Sequence, residues 1–126
     1  MKALVFGLAN EEAILARLRK RFPHIGLKKF CKSDDFTREG RDLVVFDTLR
    51  GISRVMLIDN LKSSRFENAV ETHDLVVTLR VLLRIGALDS AKIIAVPEGY
   101  SEDAAVEEIG AILSLFGRGS ELKIEY

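Results

Sequence analysis

Hydrophobic positions occur along this chain in short runs separated by polar, capped stretches. Lys2 to Phe6 is a continuous apolar run closed by Gly7 and Asn10, which predicts a central strand buried on both faces. Asn10 then stands as the cap of a helix with Glu11 and Glu12 in its first turn, where carboxylates suit the positive end of the helix dipole. Ile14, Leu15, Leu18 and Phe22 fall on one face at helical spacing, and Pro23 marks the end. Leu27 to Cys31 predicts a second strand, and Ser33 to Arg41 a polar loop. Leu43 to Leu49 supports two readings. Its composition suits a strand, while the spacing of Leu43, Phe46 and Leu49 suits a short helix.

Val55-Met56-Leu57-Ile58 is the next buried strand, followed at once by Asp59 and Asn60. After a polar loop through Glu71, Thr72 or Asp74 caps a helix from about Leu75 to Ile85. Its core stripe is Leu75, Leu79, Leu82 and Leu83, and Gly86 is the C-cap. Lys92 to Val96 forms a strand closed by Pro97. Ser101 opens a helix carrying Ala105, Ile109, Ile112 and Phe116 on one side, with Gly117 ending it. Leu122, Ile124 and Tyr126 alternate with charges, as on an edge strand. The order is broadly β-α-β-(α)-β-α-β-α-β. It predicts an α/β fold: a mainly parallel sheet of about five strands with helices on both faces.

The 126 residues suit a single domain spanning 1–126, with no linker or repeat. Hydrophobic residues at 48% and charged residues at 30% fit a globular chain and argue against disorder. Lys+Arg and Asp+Glu both total 19, so the electrostatic footprint expected of a nucleic-acid binder is missing. Cys31 is the single cysteine, which excludes an internal disulfide and cysteine-rich metal sites and fits a reducing compartment. The first apolar run is too short for a signal peptide, and no run reaches the ~18 residues of a membrane span. These features predict a cytoplasmic protein with neither nucleic acid nor membrane as partner.

Parallel sheets bind ligands beyond the carboxyl ends of their strands. Three points are expected there: Gly7 to Glu12, Asp59-Asn60 and Thr72-His73-Asp74. Glu12, Asp59 and His73 then make a candidate set of two carboxylates and an imidazole, able to hold a nickel- or zinc-like ion with one position open. Each residue also has a plain reading. Glu12 favours the dipole, Asp59 caps a turn, and His73 is a polar residue before a helix. Other chemistries find less support. Gly7-Leu8-Ala9-Asn10 lacks the dinucleotide spacing, no phosphate-binding Walker loop occurs, and Ser63-Ser64 lacks the strand-elbow-helix context of a nucleophile.

At these three points the sequence resembles the hydrogenase maturation endopeptidases, which remove a C-terminal peptide from the large subunit of nickel–iron hydrogenases. Lys2 to Phe6 with Gly7-Leu8-Ala9-Asn10 is similar to the family's opening strand and G-x-G-N turn. Glu11-Glu12-Ala13-Ile14 resembles its acidic helix start. Val55 to Asp59 resembles its apolar strand ending in aspartate, Thr72-His73-Asp74-Leu75 its histidine-bearing helix start, and Lys92 to Pro97 its later strand. The resemblance implies a hydrolase with Glu12, Asp59 and His73 as catalytic and metal-engaging residues. They would act on the nickel of a hydrogenase large-subunit precursor, with no permanently bound cofactor. Ala9 replaces the family's second glycine, the following loop is shortened, and the glycine-rich segment before the third strand is absent. These departures set beside the peptidase an alternative: a non-catalytic assembly factor of the same fold that binds a metal centre or partner. A structural or regulatory α/β domain without metal is the third reading.

Overall fold

The computed structural model describes residues 2–8, 10–31, 35–59, 61 and 74–125. Five strands form one sheet: β1 (Lys2–Gly7), β2 (Gly26–Lys29), β3 (Asp42–Leu49), β4 (Met56–Ile58) and β5 (Ser90–Pro97). Their order is β2-β1-β3-β5-β4, parallel throughout except for β4, which runs antiparallel to β5. Helices α1 (Glu11–Arg21) and α3 (Glu102–Glu125) pack on one face, and α2 (Asp74–Arg84) lies on the other. The expected α/β architecture, mainly parallel with helices on both faces, is the one observed. No helix among the described residues is long and apolar enough to cross a membrane.

The Leu43–Leu49 ambiguity resolves as β3, the middle strand of the sheet. Leu43, Val45 and Leu49 alternate toward the α2 face, and Val44 and Phe46 toward the α1/α3 face. With both faces covered, a central parallel strand carries no polar alternation, which is why its sequence also fits a helix stripe. β2 is shorter than expected and ends before Cys31, which is exposed. Within the expected polar loop, Phe36 is buried and stacks on Phe30 at 4.3 Å between ring centroids. This anchor folds Phe36–Glu39 into a 3-10 turn. Asp35 caps that turn, accepting bonds from the Thr37 hydroxyl and backbone N–H, and these hold its carboxyl below the ordinary 3.8.

Three further expectations are corrected. Val55–Ile58 is not a strand buried within the sheet but the short antiparallel edge strand β4, with Met56 exposed. Asn10 precedes α1 without capping it by its side chain. It sits in the left-handed region at φ 54°, a conformation asparagine tolerates, and its carbonyl accepts the Ile14 N–H. Gly117 does not end the last helix, and 122–125 is helix rather than edge strand, because α3 runs through to Glu125, while Tyr126 lies outside the described residues. Extending an established helix adds one hydrogen bond per residue. Because no new nucleus is needed, the extension carries Gly117 and Gly119 at about 1 kcal/mol each, whereas a lone strand needs a sheet edge to pair with. Gly86, with φ 78°, does close α2 as expected.

Candidate functional site at the carboxyl edge of the sheet

Strand β1 connects to β2 on one side, while β3 lies on its other side. The β1/β3 seam is therefore the point where the direction of winding reverses, and open sheets present their ligand crevice there. Gly7 ends β1 at this seam and pairs with Asp47 of β3. Asp47 is the buried charged residue among the described residues, 7% exposed. One of its carboxylate oxygens accepts the Thr48 N–H at 2.8 Å, and the Thr48 hydroxyl donates to the Gly7 carbonyl at 2.7 Å. A Cβ placed on Gly7 would lie 2.7 Å from Asp47 Oδ1, so only glycine lets the carboxylate approach β1 this closely.

The helices reinforce this placement. α1 and α3 each follow a parallel strand and therefore begin at the carboxyl edge. At the opposite edge Arg41, just before β3, donates to the Gly86 carbonyl beyond α2 at 2.6 Å and pairs with Asp89 at 3.0 Å. With its C-terminus fixed there, α2 rises about 16 Å along the sheet and begins at the carboxyl edge on the face toward which Asp47 alternates. Three helix amino ends thus lie at the carboxyl edge of the sheet.

The residues expected to form the site are distributed differently. Glu12 is exposed and forms an ion pair with Lys29 at the end of β2, on the side of β1 away from β3. Asp59 is exposed and follows β4. Because β4 is antiparallel, its chain heads toward the amino edge, and Met56 rather than Asp59 lies level with Ala95 and Asp47. Three strand spacings, about 14 Å, also separate β1 from β4. The fold therefore does not bring Glu12 and Asp59 together. His73 and Thr72 lie outside the described residues. Among the described residues no group of three or more His, Cys, Asp or Glu is placed to hold a metal ion. The sequence pattern does not single out Asp47, although Leu43 to Asp47 is an apolar run ending in aspartate, just as Val55 to Asp59 is.

A concave feature of about 690 Å³ lies away from the seam, between β4 and α3, and is lined by Arg54, Val55, Leu57, Tyr100, Glu108 and Ile112 among others. Glu108 is fully engaged there. One oxygen accepts the Val55 N–H at 3.0 Å and the other the Tyr100 hydroxyl. The bond to Glu108, followed by burial, raises the Tyr100 pKa above the ordinary 10.0. The neutral phenol makes the bond. Its contribution is complete below pH 10 and is lost as pH rises through the higher folded value. A phenolate absorbance titration will show a late-ionising tyrosine that Tyr100→Phe removes; an ordinary midpoint for Tyr100 would refute the coupling. The chain matches no known protein-family profile, no curated protein and no solved structure.

Proposed function

We propose that this chain acts on a nickel-loaded hydrogenase large-subunit precursor at the β1/β3 seam, in the manner of the maturation peptidases it resembles, with Asp47 as the central carboxylate. The reading rests on one observation: Asp47 is buried at the carboxyl end of the middle strand, against a glycine that ends the first. A carboxylate oxygen accepts more than one bond, so Asp47 can hold the Thr48 N–H and also meet a cation. In this reading the nickel of the precursor is the substrate's handle at that carboxylate. Water adds to the scissile carbonyl, a carboxylate accepts its proton, and the proton passes to the leaving amine. Glu12 and Asp59 take no part. His73 enters through the resemblance alone.

The assembly-factor reading has its own support. Glu12 pairs with Lys29 on the side of β1 away from β3, so Asp47 stands at the seam without Glu12 or Asp59 as a second carboxylate for hydrolysis. Intact-mass analysis of a nickel-loaded precursor, incubated with wild type, Asp47→Asn or His73→Ala, separates the two. Removal of a C-terminal segment by wild type alone supports the peptidase. A nickel-dependent complex without cleavage, lost in Asp47→Asn, supports the assembly factor. Neither cleavage nor complex rejects both.

A further inference from the structure

Helix α2 buries Leu75, Val76, Leu79 and Leu83 against the sheet. Its opposite face should be polar, since a helix apolar all round belongs in an interior. Instead it presents Val77, Val81 and Ile85, which are 46%, 51% and 69% exposed. Ile85 continues the helical path, donating its N–H to the Val81 carbonyl at 3.0 Å, so the three recur every four residues as one stripe. Asp74 lies at the stripe's amino end and Arg84 near its carboxyl end. Both are exposed, and neither has an ion pair among the described residues. Asp74 stands three residues before Val77, and Arg84 three residues after Val81.

That spacing is symmetric about the middle of the helix. We propose that the outer face of α2 is a self-association surface: a second copy of this chain lays its own α2 antiparallel on Val77 and Val81, with Ile85 extending the apolar stripe beyond them. Under the two-fold operation that sets Val77 against Val81 of the other copy, Asp74 of each copy meets Arg84 of the other. An interface of two copies is self-complementary in this way, so a single surface has to carry both signs of charge. The contact is a single helix pair, at the small end of specific interfaces, so association depends on concentration. It is independent of the seam reading, because Asp47 is not part of the stripe.

Sedimentation over about a hundredfold range of concentration tests the proposal. Wild type is expected to pass from monomer to dimer, and Val81→Glu to weaken dimerisation tenfold or more with an unchanged melting curve for the monomer. Asp74→Arg alone and Arg84→Asp alone should each weaken it severalfold. Mixing the two single variants should restore a heterodimer, since both charge pairs then become attractive. A wild type that stays monomeric throughout assigns the stripe to a different partner and overturns the proposal. So does a dimer indifferent to Val81→Glu and to the charge reversals.

Discussion

Phe46→Ala is expected to remove about 3–5 kcal/mol of stability, the usual cost of emptying a fully buried aromatic site. Phe46 has no exposed surface and lies on the α1/α3 face of the middle strand, in one cluster with Val5, Leu15, Ile94 and Ile109. Both its neighbours in the sheet are strands, so the backbone has little freedom to collapse into the space left behind. Domains of this kind hold about 5–15 kcal/mol in total, so the loss takes a large share of it. Urea unfolding is the measurement: the midpoint should fall sharply while its slope stays constant. Val77→Ala, on the outer face of α2, should change the monomer by about 0.5 kcal/mol or less. A loss below about 1 kcal/mol at Phe46 would mean that Leu43–Leu49 is not the middle of the sheet.

The same segment explains how far the sequence could be read. β1, α1, α2 and β5 announced themselves because each joins an unbroken apolar pattern to a clear stop: Gly7, Pro23, Gly86 or Pro97. β3 did not, because burial on both faces erases the alternation that distinguishes a strand from a helix stripe. Val55–Ile58 read as equally apolar, but its place at the sheet edge and its reversed direction come from pairing with β5, a non-local contact absent from any local pattern. That misplacement carried the candidate site with it. Two runs end in aspartate, Phe46-Asp47 and Ile58-Asp59, and topology alone decides which reaches the seam. Phe36 was hidden for a related reason, since one aromatic in a polar stretch gives no period. Its burial depends on Phe6 of β1 and Phe30, just past β2, meeting it from elsewhere in the chain.

Gly7→Ala is the sharpest test of the seam, because it adds one methyl group and alters no charge. The new Cβ would stand 2.7 Å from Asp47 Oδ1, a separation that real Cβ atoms do not tolerate. Asp47 is short and buried, and its near oxygen is tied to the Thr48 N–H, so the carboxylate has no free rotation with which to escape. Either β1 and β3 part locally or the carboxylate turns and loses that bond. Overpacking of this kind costs about 1–3 kcal/mol. The functional loss should be larger than the structural one. If the seam works through Asp47, Gly7→Ala should abolish precursor processing or complex formation as Asp47→Asn does, at temperatures where the fold is intact. Gly110→Ala is the matched control. The nearest atoms to its Cβ belong to the Arg21 guanidinium, at 2.8 Å, the far end of a long side chain that can swing aside on the surface of α1. Full activity in folded Gly7→Ala would remove Asp47 from the site, because nothing else in the seam lies as close to that methyl group.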